Sequence, residues 1–170
     1  RIAVFVTTSI ALILAGSPAF AEGTTRLGWL EFVRGEGADL RMDGKLDTGA
    51  KTSSIHAEIL SAPDRKASSE DEDDAEQSVV FRINNEKGEE RTIEAELVRW
   101  AAIKKKSGGV LYRPVVEMDF CIGGNLREGE VTLADRGHFN YEILVGRNML
   151  EAGSIIVDPS EIYTDKSRCS

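Results

Sequence analysis

The stretch that decides the fold is residues 45–56, which read Lys-Leu-Asp-Thr-Gly-Ala-Lys-Thr-Ser-Ser-Ile-His. An alternating strand runs here into a turn of small residues that carries one carboxylate, Asp47, and then returns to apolar sequence. Gly49 lets the backbone fold tightly round the carboxylate and direct amide N–H groups at it, while the Thr48 hydroxyl offers a second anchor. We interpret Asp47 as a catalytic aspartate. The competing interpretation is an ordinary Asp-Thr-Gly turn between two strands.

A second motif lies at residues 141–150, where the apolar strand of Tyr-Glu-Ile-Leu-Val-Gly-Arg-Asn-Met-Leu ends on Gly146, Arg147 and Asn148. The two segments, in this order, resemble the retropepsin-like aspartic peptidases, in which a strand leads into Asp-Thr-Gly-Ala and a later strand ends in Gly-Arg-Asn before a short helix. The Asp-Thr-Gly-Ala-Lys-Thr-Ser run and the Arg-Pro-Val-Val strand are similar to a bacterial branch labelled ATP-dependent zinc proteases. The resemblance covers residues 27–163.

The resemblance implies an all-β fold, a closed barrel of the retropepsin-like (acid protease) type with a flap hairpin and one short helix. It places the flap at residues 100–114, where two glycines at the tip would let backbone amides approach a substrate. A plain hairpin turn without substrate contact is the alternative. The positions of the motifs further imply a role for each site residue. The catalytic residue would be Asp47, and the active-site loop would be formed by Thr48, Gly49 and Ala50. Substrate would be bound by Lys51, Thr52, Ser107, Gly108 and Gly109, and structural support would come from Gly146, Arg147 and Asn148.

Hydrophobic patterning independently indicates a β fold. Short alternating runs are separated by Gly- and Asn-rich turns, and almost no segment has a helical period, which is typical of a barrel or sandwich. We expect alternate residues of the strand before Asp47 to share one buried face, one strand over residues 91–100, separate strands over 110–116 and 117–122, and a short helix over 146–152.

Length and charge limit the possible functions. The chain has 170 residues, of which 41% are hydrophobic and 29% charged, so one domain with a sizeable core is expected. A net charge of −8 and an aromatic content of 6% argue against nucleic acid as a partner.

Two segments are expected to lie outside the folded core. Residues 1–21 begin with a basic residue, continue with an apolar run and end in a small-x-small pattern, which predicts a signal peptide, with an uncleaved anchor as the alternative. The domain would then occupy residues 22–170, with a periplasmic or secreted location and no membrane contact after cleavage. Residues 61–78 are rich in Ser, Asp and Glu, and we expect a disordered acidic insertion, with a calcium site as the less favoured alternative.

The chemistry of aspartic peptidases requires two adjacent carboxylates that share a proton. The chain has one Asp-Thr-Gly, so we expect a homodimer in which Asp47 meets its symmetry mate and Thr48 bonds across the axis, as the resemblance implies. Residues 135–137, Asp-Arg-Gly, could be an internal second loop, but the arginine stands where a hydroxyl residue is expected.

Substrate and cofactor preferences follow from the remaining motifs. Lys51 and the lysines at 104–106 favour acidic peptides or a substrate carboxylate, although solvated surface lysines are an alternative. No phosphate loop and no zinc motif is present, so we expect no cofactor and no metal. The alternative is zinc held by Asp47 and His56 across a dimer. Two cysteines could pair within the chain or between chains, and their spacing decides neither.

The sequence therefore predicts a secreted or periplasmic homodimeric aspartic endopeptidase that hydrolyses peptide bonds with a water activated by the paired Asp47 carboxylates. Two alternatives stay open, namely a non-catalytic peptide- or protein-binding module on the same fold and a zinc-assisted peptidase.

Overall fold

The computed structural model describes residues 23–35, 40–65, 77–165 and 169. The predicted signal peptide and most of the predicted acidic insertion lie outside this part of the chain. The described elements are β1 (Thr25–Gly35), β2 (Arg41–Leu46), β3 (Ser53–His56), β4 (Glu58–Ser61), β5 (Ser78–Asn84), β6 (Glu90–Glu96), β7 (Arg99–Lys104), β8 (Val110–Ile122), β9 (Asn125–Ala134), β10 (Ile143–Val145), α1 (Arg147–Ala152) and β11 (Ile155–Ile162).

The strands form two sheets. The larger is a mixed eight-stranded sheet with the order β11-β1-β2-β10-β3-β9-β8-β7, and the end of β1 pairs a second time, with β8. The smaller is an antiparallel three-stranded sheet with the order β4-β5-β6. The prediction of a β-rich fold with one short helix is confirmed, and the arrangement is a mixed sheet accompanied by a second small sheet.

Alternation along the strands places the core. In β2, Met42, Gly44 and Leu46 are buried while the residues between them are partly exposed, as the sequence pattern predicted. The small sheet contributes Phe81 and Ile83 to the same core. The core members from the large sheet include Val33, Ile55, Val116, Met118, Phe120, Val131, Leu133, Ile143 and Val145. The two sheets therefore bury one continuous apolar cluster between them.

The predicted single strand over residues 91–100 is wrong. It breaks after Glu96, where the Leu97 N–H donates to the carbonyl of Gln77 and the Val98 N–H donates to the carbonyl of Val115. Consecutive residues thus bond to Gln77, directly before β5 of the small sheet, and to Val115 in β8 of the large sheet, which no local apolar pattern records. The predicted break between residues 116 and 117 is also wrong, because β8 is continuous from Val110 to Ile122.

Of the predicted acidic insertion at residues 61–78, the structure describes only the two ends, residues 61–65 and 77–78. Ser61 ends β4, Ser78 begins β5, and Arg65 stacks its guanidinium over the Tyr112 ring with 3.9 Å to the centroid. Both ends of the segment are therefore tied to the body of the domain. Among the described residues, no helix has the length and apolar character needed to cross a membrane.

A clamp on a buried carboxylate fixes the chain after β11. Glu31 is fully buried in β1, and its oxygens accept hydrogen bonds from the backbone N–H groups of Gly28, Thr164 and Asp165 and from the Thr164 hydroxyl. The Tyr163 ring stacks on Phe32 with centroids 4.3 Å apart. A buried carboxyl group needs hydrogen-bond partners to offset its lost hydration.

A disulfide adds a covalent tie to the same segment. Cys121, near the end of β8, is bonded to Cys169 of the same chain. The two pairings that the sequence left open are thereby resolved in favour of the bond within the chain. The C-terminal segment is held by both polar and covalent contacts.

Candidate active site

Asp47 follows β2 directly, and three contacts fix its position. Its backbone N–H donates to the carbonyl of Val145 at 2.9 Å. Its Oδ1 accepts a hydrogen bond from the Gly49 N–H at 2.9 Å, and its Oδ2 lies 3.1 Å from the Lys45 Nζ. The predicted tight turn around this carboxylate is therefore present. The side chain stays 26% exposed, so it is available to solvent and to ligands.

The surroundings of Asp47 favour its ionised form within one chain. The hydrogen bond from Lys45 and, to a lesser degree, the N–H of Gly49 hold the pKa of Asp47 below its ordinary value, while partial burial opposes the shift. Lys45 was not among the predicted site residues. The available signal was its position two residues before Asp47, because alternate residues along a strand face the same side.

The Gly-Arg-Asn motif is joined to the Asp47 loop by backbone hydrogen bonds. The N–H of Arg147 donates to the carbonyl of Ala50 at 2.9 Å, and the N–H of Asn148 donates to the carbonyl of Lys51 at 3.2 Å. The Arg147 guanidinium reaches the carbonyl of Thr48 at 3.3 Å. The two motifs that were selected from sequence, almost a hundred residues apart, therefore form one unit.

Gly146 lies where this unit is packed most closely. A Cβ at this position would lie 2.5 Å from the carbonyl carbon of Thr52, which is too close for any side chain. The Gly146 N–H donates to the Ser53 hydroxyl, which in turn donates to the Asn148 side-chain oxygen, each at 3.0 Å. Ser53 is fully buried and was not predicted as a site residue, since nothing local marks a serine as a bridge between distant segments.

The segment predicted to be the flap forms the hairpin of β7 and β8. Its tip turns through Gly108 and Gly109, which adopt positive φ angles of 89° and 82° that favour glycine. The N–H of Gly108 donates to the carbonyl of Lys105 at 3.1 Å, and the tip, including Ser107, is exposed. Contact between this hairpin and a substrate stays a prediction.

The second Asp-x-Gly turn, at residues 135–137, has different surroundings. Asp135 Oδ1 accepts a hydrogen bond from the Gly137 N–H at 3.0 Å, but the Asp135 side chain is 79% exposed. Arg136 is buried and donates to the Ser54 hydroxyl at 3.0 Å, while its backbone N–H donates to His56 Nδ1 at 2.8 Å. This arginine therefore ties the turn to β3.

The residues proposed for a zinc alternative are not brought together as a metal site. No group of three or more His, Cys, Asp or Glu side chains within residues 23–35, 40–65, 77–165 and 169 could hold a metal ion. His56 lies at the opposite end of β3 from the Asp47 loop, and its Nδ1 already accepts the Arg136 N–H. Within the residues that the structure describes, the donors of one chain do not fit a zinc ion.

Comparison with known proteins agrees with the two linked motifs. The family described as RimB-like, "Retropepsin-like aspartic endopeptidase RimB", matches residues 26–168. The chain therefore belongs to the RimB-like family of retropepsin-like aspartic endopeptidases.

Individual relatives carry other names. A protein of Shewanella pealeana named probable alpha-L-glutamate ligase is 31% identical over 70% of this chain, and one of the same name from Shewanella halifaxensis is 30% identical over 70%. The chain spans about a quarter of the length of these relatives. A crystal structure of a Legionella pneumophila protein of unknown function (DUF785) has a TM-score of 0.66 and 27% identity, covering 84% of this chain and 98% of that one.

Proposed function

We propose that this protein is an aspartic endopeptidase that acts as a homodimer, with Asp47 of each chain at a shared site. The observation that carries the proposal is the rigid loop of Asp47, which is bonded to Val145, Ala50 and Arg147 through the backbone and leaves one carboxylate partly exposed. A single such carboxylate lacks the partner that the chemistry needs, so a second copy must supply it.

The chemistry divides between the two carboxylates. Two acids within hydrogen-bond distance share one proton, because both cannot ionise together at low cost. The ionised Asp47 removes a proton from a water molecule as it attacks the peptide carbonyl, and the protonated one donates to the carbonyl oxygen. Within each chain, Gly49 and Lys45 favour the ionised form, which supports the base role.

The hairpin of β7 and β8 serves as the flap in this proposal. Backbone groups of Ser107, Gly108 and Gly109 would contact an extended substrate, and the glycines allow the tip to open and close. We further propose that the second pairing of β1, with β8, closes the large sheet into the barrel of the retropepsin-like fold.

Acidic peptides are the proposed substrates. Lys45 and Lys51 flank the Asp47 loop, and three further lysines at 104–106 lie beside the hairpin tip. These cations would attract carboxylate side chains. The name of the relatives, probable alpha-L-glutamate ligase, supports the proposal that the substrate is a peptide that contains glutamate. In this proposal Lys51 and Thr52 contact that peptide.

The proposed location is the periplasm or the exterior of the cell. Its support is the signal-like sequence of residues 1–21 and the bond between Cys121 and Cys169, because disulfides persist in oxidising compartments.

A second candidate is a non-catalytic peptide-binding module. The observation that favours it is the ion pair between Lys45 and Asp47, which occupies one carboxylate oxygen and partly neutralises its charge. A resting enzyme could hold the same pair and release it when the partner carboxylate arrives.

Cleavage of a library of acidic and neutral peptides, measured over a dilution series of the purified protein, tests the dimer. We expect cleavage to fall faster than linearly with protein concentration, while sedimentation shows a monomer-dimer equilibrium. Strictly linear activity from a monomer contradicts the shared site, and binding without cleavage at any concentration favours the second candidate.

Chelation tests the metal alternative in the same assay. We expect EDTA to leave the rate unchanged. Loss of activity with EDTA and its recovery with zinc would replace the paired-carboxylate mechanism by a zinc-assisted one.

A further inference from the structure

The hairpin of β7 and β8 protrudes from the large sheet. All residues from 102 to 112 are exposed, and the buried residues nearest to them are Ala101 on one strand and Pro114 on the other. Within the described residues, β7 is an edge strand that pairs with β8 alone. A two-stranded ribbon has little stability of its own, so contacts at its base decide where its tip points.

Arg99, the first residue of β7, makes a contact at this base that reaches across a strand. In the order β9-β8-β7, its side chain extends past β8 to Glu130 of β9. The Arg99 Nε lies 3.2 Å from Oε1 and 3.1 Å from Oε2 of Glu130, and Nη2 also donates to Oε2. Because the guanidinium is a planar fork, such a contact fixes a direction as well as a distance.

Glu130 is also joined to the Asp47 loop, through its main chain. The Glu130 carbonyl accepts a hydrogen bond from Asn148 Nδ2 at 3.0 Å. The N–H of Asn148 donates in turn to the carbonyl of Lys51, directly after that loop. Three consecutive contacts therefore lead from the base of the hairpin to the Asp47 loop, and Glu130 takes part in two of them.

The charges around Glu130 favour its pairing with Arg99. By the register of β8 and β9, four carboxylates share one face of these strands, namely Glu117, Asp119, Glu128 and Glu130. The hydrogen bond from Arg99 holds the pKa of Glu130 below its ordinary value against the effect of partial burial, and the charge of Lys51 acts in the same direction as Arg99. Exposed ion pairs usually contribute little, but a forked pair within a group of charges is the exception.

We propose that Arg99 and Glu130 are positioning residues that hold the base of the hairpin at a fixed place relative to the Asp47 loop. The inference rests on the proposed peptidase function, in which the hairpin is the flap. Neither side chain needs to touch the substrate. With the base held, opening and closing are confined to the exposed residues 102–112, and the tip returns to the same place in each cycle.

Hydrogen exchange of the hairpin amides, measured by mass spectrometry, tests this anchor without any need for activity. We expect Arg99→Ala and Glu130→Ala each to speed exchange in residues 100–114 about two- to fivefold. The double variant should do no more than either single one, because both changes break the same contact. Each variant keeps the main-chain carbonyl that Asn148 binds.

Arg82→Ala is the matched control. Arg82 pairs with Glu58 of the small sheet at 3.3 Å and is 39% exposed, against 44% for Arg99. Its replacement removes a similar ion pair at a distance from the hairpin, so exchange in residues 100–114 should stay unchanged. The melting temperatures of the Arg82 and Arg99 variants should be similar.

Steady-state kinetics on a cleaved peptide separates positioning from stability. A misplaced hairpin weakens substrate binding, so we expect KM to rise about two- to fivefold in both single variants with little change in kcat. A purely structural role would instead lower the amount of folded protein, and with it the apparent kcat, at an unchanged KM.

Three results of the exchange experiment each overturn the proposal. They are unchanged exchange in the single variants, an equal increase in Arg82→Ala, and effects of the single variants that add in the double variant. A loosened hairpin in an active enzyme that keeps its KM also overturns it and leaves the peptidase function standing. If the wild-type protein cleaves no peptide, the proposed function fails, and hydrogen exchange alone decides whether Arg99 and Glu130 anchor the hairpin.

Discussion

The two Asp-x-Gly turns of this molecule share their local geometry and differ in the segments that pack against them. In each, the glycine N–H donates to the aspartate Oδ1, at 2.9 Å for Asp47 and 3.0 Å for Asp135. The loop of Asp47 is hydrogen-bonded through its backbone to the Gly-Arg-Asn segment, and the Asp47 side chain is 26% exposed. Asp135 is 79% exposed and lies beside a buried arginine.

The comparison teaches that the tripeptide alone does not define a site. A glycine two residues after an aspartate gives the same turn in both places, since the small residue lets the amide point back at the carboxylate. What distinguishes Asp47 is the second segment, which fixes the loop through main-chain bonds to Ala50 and Lys51. A reacting group must be held rigidly, and such bonds provide that.

The largest expected effect is that of Asp47→Asn. The amide keeps the shape of the turn but can neither ionise nor share a proton, so turnover should fall by about 10²–10⁴-fold or more while the fold remains. Asp135→Asn is the matched control and should retain activity. Kinetics on the peptide library with circular dichroism measure both. Full activity in the Asp47 variant would mean that Asp47 is a turn residue.

The second largest expected effect is a difference in stability between alanine variants of two glycines, one packed against the Asp47 loop and one within the Asp135 turn. Gly146→Ala places a Cβ 2.5 Å from the Thr52 carbonyl carbon, and the resulting overpacking should cost about 1–3 kcal/mol or more. Gly137→Ala meets the Asp135 Oδ1 at 3.3 Å and the His56 Cε1 at 3.8 Å, both side-chain atoms, and should be tolerated. Thermal denaturation compares the two variants. Equal melting temperatures would show that the close contact at Gly146 relaxes easily.

Ser53→Ala should have a smaller but measurable effect. The change leaves the buried N–H of Gly146 without an acceptor, at a cost of about 1–3 kcal/mol. Ser54→Ala removes one acceptor from Arg136, which keeps the carbonyl of Tyr141 and the Phe139 ring, so its loss should be less. Urea denaturation at neutral pH measures both free energies of unfolding. A larger loss of stability for Ser54→Ala than for Ser53→Ala would mean that the contacts of the Asp135 turn contribute more to stability than those of the Asp47 loop.

The smallest expected effect concerns the pKa of Asp47. Lys45→Met removes the largest cause of its lowering, so the pKa should rise toward its ordinary value of 3.8, whereas the pKa of Asp135, lowered first by the Gly137 N–H, should not move. Because the folded-state pKa of Asp47 is lowered, its contribution to stability is present above the ordinary pKa and is lost as the pH falls through the folded value.

Carbon-detected NMR titration of the carboxyl groups at low protein concentration measures both pKa values. In the active dimer the rate should be bell-shaped in pH, with limbs that belong to the coupled pair. An unchanged Asp47 titration in the Lys45 variant would show that the ion pair is not maintained in solution.

The sequence predicted those features that depend on local pattern. The alternation that buries Met42 and Leu46, the hairpin glycines and the short helix after Gly146 all follow from strand period and turn chemistry. The two motifs around Asp47 and Gly146 could also be associated, because together they resemble one family. Their contact in the structure supports that association, while their catalytic roles remain predictions.

Other features depend on partners far along the chain and left no local signal. The change of sheet at Leu97 and Val98 is decided by the carbonyls of Gln77 and Val115. The burial of Glu31 looks unfavourable from sequence alone, since its donors come from residues 164 and 165. The role of Ser53 likewise exists only once Gly146 is beside it. Composition cannot record such tertiary partners.

The segment after β11 has a consequence for the lifetime of the protein. A single cut between Ile162 and Thr164 would not release the fragment, because Cys169 would still be bonded to Cys121. Reduction of the disulfide after such a cut would free the fragment, remove the donors at residues 164 and 165 and leave the buried Glu31 carboxyl group with the Gly28 N–H. The disulfide therefore keeps the cut fragment attached until it is reduced.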